Sequence, residues 1–326
     1  MIDTGGSISR RTFLGAAASC SAHLMFLTRG ATLRGASTFF WGNSAHVVAQ
    51  EPWGRLEQVG EGLWALVSTP LEDRTTLCNG GIVAGTAGTL VVESYASPKG
   101  ATWMAERARD LTGKWPSHVV VTHFHGDHTG GIEGFGVSGT PHILATKKTQ
   151  ELVMEQDARS EVEELRRKMI ADITILNPTS ATDIDLGGRE VHIIPRAGHT
   201  PSDVSIELAE PSTVWCGDLV WNHMFPNYRD AIPSLLSQSV RDLVRSRETT
   251  YVPGHGPLAG RKDLASYVQV IDLVEVAGRR AFELGVPAAE AAQDFSLPPS
   301  LGEWMMFSPR YYEVALGAWE RELKSQ

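Results

Sequence analysis

Six consecutive residues, His-Phe-His-Gly-Asp-His at 123–128, constrain this chain more than any other feature. They follow the apolar run Val119-Val120-Val121, which reads as a buried strand, and they precede Thr129-Gly130-Gly131. In extended backbone, residues i and i+2 project to the same side, so His123 and His125 can grip one cation together. Gly126 lets the chain turn, and Asp127 and His128 then face a neighbouring position. Burying unpaired polar groups costs free energy, and nothing in packing calls for four of them at a strand's end. As metal ligands they are satisfied.

Three later positions have the same grammar. Gly198-His199-Thr200-Pro201 follows an apolar segment ending near Pro195. Gly217-Asp218 follows one ending at Cys216, and Pro253-Gly254-His255-Gly256 follows one ending at Val252. Each is a single His or Asp just past a predicted strand and beside glycine. Loops at one edge of a sheet can converge whatever their separation in sequence.

The predicted elements supply such edges. Residues 55–68 read as a strand pair turning at Gly60–Gly62. Two short strands, 81–84 and 89–93, follow, then a helix over 98–112 with Trp103, Met104, Ala108 and Leu111 on one face. Ile143-Leu144-Ala145 is a short strand. A charged helix is expected from about 147 to 171, with Glu161, Glu163, Glu164, Arg166, Arg167 and Lys168 solvated. Gly187-Gly188 between two alternating segments predicts a hairpin. Strands at 204–208, 213–216 and 249–252 follow, with helices near 232–245, 262–284 and 309–323 and a loop or short-helix connection over 287–308. Strands and helices alternate in two halves, a pattern that packs as helix–sheet–sheet–helix layers.

Composition narrows the function classes. Of 326 residues, 42% are hydrophobic and 21% charged, and the net charge is −9. An acidic, mixed surface argues against nucleic acid, which needs a basic footprint. No internal run after the first 50 residues is long and apolar enough to span a bilayer. The three cysteines, Cys20, Cys78 and Cys216, fall in no thiolate-cage spacing, so the histidines are the more informative count: of eleven, five fall in three short polar clusters. His118, His142 and His192 sit on or beside strands and read as structural. No G-x-S-x-G motif is present.

The first fifty residues read as an address. Ser-Arg-Arg-Thr-Phe-Leu at 9–14, the weakly apolar stretch from Gly15 to Leu27 and the small-residue site Val47-Val48-Ala49 resemble a twin-arginine export signal over residues 1–49. Acylation at Cys20 is an alternative with weaker flanks. Cleavage would remove four basic residues (Arg10, Arg11, Arg29, Arg34) and one acid (Asp3), so the net charge of −9 becomes −12. The expected product is a periplasmic or secreted chain over 50–326, a single domain with a helical extension from about 286. No membrane span remains after signal removal, and the expected partner is a small-molecule substrate.

The ordered set His-x-His-x-Asp-His, His, Asp, His over about residues 55–285 resembles the metallo-β-lactamase superfamily. The resemblance implies a four-layer αββα sandwich and a dinuclear zinc site. Carried over by position, His123, His125 and His199 would hold the first metal, Asp127, His128 and His255 the second, and Asp218 would bridge both. It implies a hydrolase in which a hydroxide shared by the metals attacks a small ester, thioester, lactone or β-lactam carbonyl, with Asp127 as the proton shuttle. The nitrogen and oxygen ligands also accept Mn or Fe. A phosphodiesterase and a non-hydrolytic metal or redox module are the alternatives.

The sequence departs from the β-lactamases themselves. Asp218 stands where one subclass has Cys, which is similar instead to glyoxalase-type hydrolases, and Cys216 reads as a core residue. Trp221 stands where that subclass has a carboxylate-binding Lys. Glu93 stands where many members have Asp. The segment 219–230 is similar to that of exported zinc hydrolases of the superfamily, and Trp221, His223, Tyr228 and Arg229 are its expected substrate-binding residues.

Overall fold

The computed structural model describes residues 46–69, 73–139 and 141–326. The arginine pair and Cys20 lie outside them. The chain order is β1 (His46–Glu51), β2 (Gly54–Gly60), β3 (Leu63–Ser68), β4 (Gly80–Ala84), β5 (Thr89–Val92), α1 (Pro98–Thr112), β6 (His118–Val120), α2 (Gly126–Thr129), β7 (His142–Ala145), α3 (Lys147–Asp157), α4 (Glu164–Ala171), β8 (Thr174–Ile175). The second half runs β9 (Thr182–Asp185), β10 (Glu190–Pro195), β11 (Val204–Leu208), β12 (Thr213–Trp221), α5 (Pro233–Asp242), β13 (Thr250–His255), α6 (Arg261–Leu284), α7 (Ala288–Asp294), α8 (Tyr311–Lys324).

Two sheets result. The first has eight strands in sequential order β1 to β8, antiparallel as far as β5 and parallel from β5 to β8. The second runs β13-β12-β11-β10-β9, with β12 and β13 parallel. Their inner faces share one core, Leu63, Ala65, Val83, Leu90, Val92 and Val120 from the first against Val191, Ile193, Val204, Ile206, Trp215 and Val252 from the second. The outer face of the first sheet packs against α1, α3 and α4 through Trp103, Met104, Val153, Met169 and Ile170. That of the second packs against α5, α6 and α8 through Leu236, Val240, Leu264, Ile271 and Trp319. These are the layers of an αββα sandwich. Among the described residues, no helix is long and apolar enough to cross a membrane.

Local signals explain most boundaries. Ser97 caps α1, its hydroxyl accepting from the Gly100 amide, Pro98 fills the first turn, and Gly113 ends the helix at φ 73°. Gly187 and Gly188 take φ 88° and 72° in the β9–β10 turn, as that hairpin requires.

Two expectations change. The helix foreseen over 147–171 is broken into α3 and α4, and Arg166 is buried at 7% exposure rather than solvated. It forms a forked pair with Asp157 (2.8 and 3.1 Å) and donates to the Thr129 carbonyl at 2.7 Å. The break folds α4 back so that Val153, Met169 and Ile170 reach the same core. Next, β12 runs on through Asp218 to Trp221, because its pairing with β13 resumes after a register shift at Gly217. The helical extension beyond 286 contributes to the core. Leu316, Ala318 and Trp319 of α8 are core residues beneath α6.

Arg166→Ala would leave the Asp157 carboxylate and the Thr129 carbonyl without their donor. The expected cost is about 3 kcal/mol, typical of breaking a buried pair from one side, read as a lower urea midpoint at unchanged slope. A midpoint within error of wild type would contradict the structural role.

Candidate metal centre

The carboxyl ends of β6, β12 and β13 lie at one rim of the sandwich, and the loop after β10 joins them there. β6 delivers His123 and His125, α2 carries Asp127 and His128, and the loop 196–203 carries His199. Asp218 lies within β12, and His255 ends β13. All seven side chains are buried.

They form two groups. Ligand atoms of His123, His125, His199 and Asp218 lie within 4.8 Å of one another, as do those of Asp127, His128 and His255. In the first, His125 Nδ1 is 3.1 Å from His123 Nε2 and 3.0 Å from His199 Nε2. In the second, His255 Nε2 is 3.2 Å from Asp127 Oδ2. Asp218 touches both. Its Oδ2 is 3.3 Å from His199 Nε2 and 3.4 Å from His255 Nε2, and its Oδ1 is 3.2 Å from His128 Nε2.

These atoms fit cations better than one another. His128 Nε2 and Asp218 Oδ1 are buried side by side with no hydrogen bond to any described group. Unmade bonds at this depth are costly unless the lone pairs serve another centre. The 3.1 and 3.0 Å from His125 Nδ1 to the other two nitrogens also approach the edge of a zinc tetrahedron, about 3.4 Å for Zn–N bonds near 2.1 Å. Protonation states agree. Burial holds His123 well below its ordinary value and lowers His199 to about 3, so both imidazoles offer lone pairs at neutral pH. Burial would raise Asp127 and Asp218, but the facing imidazoles, led by His128 for the first and His255 for the second, outweigh it and hold both carboxyls low. Burial would lower His255, yet Asp218 and Asp127 bring it up to about 9.

A second ring of residues aims these ligands, and sequence reasoning missed most of it. Asp230 Oδ2 is 3.0 Å from His125 Nε2, leaving Nδ1 for the site. This hydrogen bond to His125, more than any other contact, lowers the Asp230 carboxyl. Thr122 Oγ1 lies 3.0 Å from His123 Nδ1 and donates to Glu93 Oε1 at 2.5 Å. Glu93 also places Oε1 3.1 Å from His128 Nδ1. Glu93, standing where many family members have Asp, thus reaches ion-pair distance of His128 with its own backbone at φ 76°. Asp203 accepts from the Thr200 amide (2.9 Å) and hydroxyl (2.7 Å), fixing the His199 loop. Asn79 donates to the Pro253 and Gly256 carbonyls at 2.9 and 2.7 Å, tying the His255 turn to the first sheet. A carboxylate or amide in a loop carries no periodic signal, which is why, apart from Glu93, these did not stand out. Gly254 is required for a different reason, because a Cβ there would collide with Asp218 Oδ1.

The four expected substrate residues separate. Trp221 lies at the site, its ring centroid 4.2 Å from that of His255 and 6.4 Å from that of His199. His223 is exposed and stacks on Trp304 at 5.9 Å. Arg229 is exposed, and its carbonyl accepts from Arg321. Tyr228 corrects the expectation. It is 1% exposed within the helix-side core with Phe225 and Leu236, so no ligand reaches it without unpacking that core. Cys216 is buried, and desolvation pushes its thiol well up, which suits a core residue and not a thiolate ligand. His192 pairs with Asp183 at 2.7 Å, and the His118 and His142 rings lie 5.5 Å apart on neighbouring strands.

Known proteins resemble this chain in sequence and fold. The family model of the metallo-β-lactamase superfamily matches residues 74–255. A β-lactamase-like protein 2 homologue from Caenorhabditis elegans is 31% identical over 144 residues, 43% of this chain and 42% of that protein. A lactamase-like protein of Pestalotiopsis microspora is 27% identical over 142 residues, 44% of this chain and 38% of that one. The chain thus spans about two fifths of the length of the curated relatives it matches. A metallo-β-lactamase from Pontibacter korlensis superposes with a TM-score of 0.55 at 17% identity, covering 67% of this chain and 99% of that one. One from Hirschia baltica gives 0.53 at 20%, covering 67% and 97%.

Two outcomes follow. Asp230→Asn should weaken zinc binding by about 10- to 100-fold, the usual effect of removing a histidine's outer partner, in a chelator competition. An unchanged affinity would show that His125 needs no such support. Because His255 keeps its proton up to about pH 9 in the metal-free protein, a cation must displace it. Affinity for the second zinc should therefore rise at least about tenfold per pH unit from pH 6 to 8, more steeply than for the first. Equal slopes would contradict the assigned protonation.

Proposed function

The chain belongs to the metallo-β-lactamase superfamily, matched over more than half its length; from this premise we propose that it is a metal-dependent hydrolase, a dinuclear zinc enzyme opening small ester, thioester, lactone or β-lactam carbonyls. The observation that carries the reading is Asp218, one carboxylate with an oxygen on each histidine group. A bridging ligand makes sense for two cations and is superfluous for one. Neutral imidazoles with carboxylates suit zinc.

Paired zinc ions would polarise the substrate carbonyl and make water a nucleophile at neutral pH. The chain's own residues do the rest. Asp127, held ionised by the imidazoles around it, accepts the proton that the attacking water sheds. The water oxygen bonds to the carbonyl carbon, and the bond to the leaving oxygen, sulfur or nitrogen breaks. Asp127 returns its proton to that departing atom, leaving a carboxylic acid and an alcohol, thiol or amine. Glu93 and Asp230 keep the imidazoles of His128 and His125 from rotating as charge moves through the site.

We further propose export by the twin-arginine route. Arg10-Arg11 and the short apolar stretch behind them support it, and that route carries folded, metal-loaded chains. A mature net charge of −12 favours a small-molecule substrate over nucleic acid.

The test is a turnover screen of the zinc-loaded protein with nitrocefin, homoserine lactones, S-lactoylglutathione and bis(p-nitrophenyl) phosphate. The expected result is hydrolysis of a carbonyl substrate, reduced at least about 10²-fold in Asp127→Asn, as for loss of a proton-transfer group. Hydrolysis of the phosphodiester alone, or an Asp127→Asn variant as fast as wild type, would overturn the reading.

A further inference from the structure

The chain beyond the family-matched residues 74–255 returns to the metal centre. Its segment 303–311 is fastened along the outer loop of the site by main-chain bonds. The Phe225 amide donates to the Met305 carbonyl at 2.8 Å and the Met305 amide to the His223 carbonyl at 3.0 Å. Trp304 anchors it from the side, stacked between His223 at 5.9 Å and Tyr267 at 6.1 Å. So held, the strap brings Phe307 to 5.7 Å and Tyr311 to 6.4 Å from the Trp221 ring, both edge-on at 69°. Phe307 also lies 5.9 Å from the His255 ring at 85°.

Of these rings, Trp221 is only 3% exposed and forms the backing of the wall. Phe307 is partly exposed while in contact with a candidate metal ligand. A substrate group placed beside His255 therefore meets Phe307 before any other residue of the extension. Phenylalanine offers no hydrogen bond and no charge. It offers apolar area and a ring quadrupole, which favour an apolar or aromatic group set edge-to-face.

We propose that Phe307, carried by the 303–311 strap and backed by Trp221 and Tyr311, is a specificity-determining residue that selects substrates bearing an aryl or similarly sized apolar acyl group next to the scissile carbonyl. This deepens the hydrolase reading and rests on it for how a carbonyl sits on the cations. It also moves part of the specificity wall out of segment 219–230, where the sequence places it.

Binding of two product-like carboxylates, acetate and phenylacetate, to the zinc-loaded full chain tests this by isothermal titration calorimetry, without needing turnover. Phenylacetate should bind about tenfold more tightly than acetate, the size of one good aromatic contact. In Phe307→Ala the ratio should fall toward one, and in Phe307→Leu it should lie between. Zinc content and thermal midpoint establish that each variant is folded and loaded. A wild-type ratio near one, a ratio untouched in both variants, or no binding of either acid overturns the proposal. The hydrolase reading is decided separately, by the turnover screen.

Discussion

Asp218 is a carboxylate at 3% exposure facing imidazoles on three sides, with one oxygen that forms no hydrogen bond to any described group. A buried charge must be paired, and this one is paired only with imidazoles, each of which can also serve a cation. Most of the site geometry can be traced to holding that carboxylate. Strand β12 must continue past Gly217 to present it, and β13 must approach closely enough that only glycine fits at 254. The imidazoles must come from both sheets. The sandwich is the arrangement that lets His123, at the end of a strand in one sheet, meet Asp218 in the other.

The protonation pattern divides the centre into two unequal halves. His123 and His199 lose their protons to burial. His255 keeps its proton because Asp127 and Asp218 stand against it. In the metal-free protein, then, one half has lone pairs ready and the other is internally neutralised. The carboxylate that serves as base in the proposed reaction also decides how the second cation enters. Outside this centre, Asp230, Glu93, Thr122 and Asp203 spend their polar atoms on orienting histidines or the loop that carries one. For Glu93, Thr122 and Asp203, which are buried, the cost of burial is offset by a geometry that survives charge movement.

Much of this was legible in the sequence because it is local or patterned. The hexapeptide 123–128, the single His and Asp positions past strands and the Gly187-Gly188 turn all announce themselves by spacing. The residues that aim the ligands do not. Asp230 and Asn79 act across 105 and 174 positions; neither has a spacing signal of its own, although Asp230 closes the segment 219–230 that the resemblance singles out. Arg166 read as solvent-facing because its neighbours are charged, whereas a break after Asp157 turns it inward. Tyr228 read as a site residue through proximity in sequence to Asp218. The chain instead carries it into the helix-side core, and aromatic access to the site comes from Phe307, 89 positions after Asp218 in the numbering.

The central claim is that two cations share the Asp218 carboxylate. Metal content measured by inductively coupled plasma mass spectrometry, on the full chain purified without chelator and dialysed against trace zinc, addresses it most directly. The account predicts two equivalents per chain in the wild type and no more than one in His255→Ala. A wild-type chain that retains none, or a His255→Ala chain that still holds two, would contradict it.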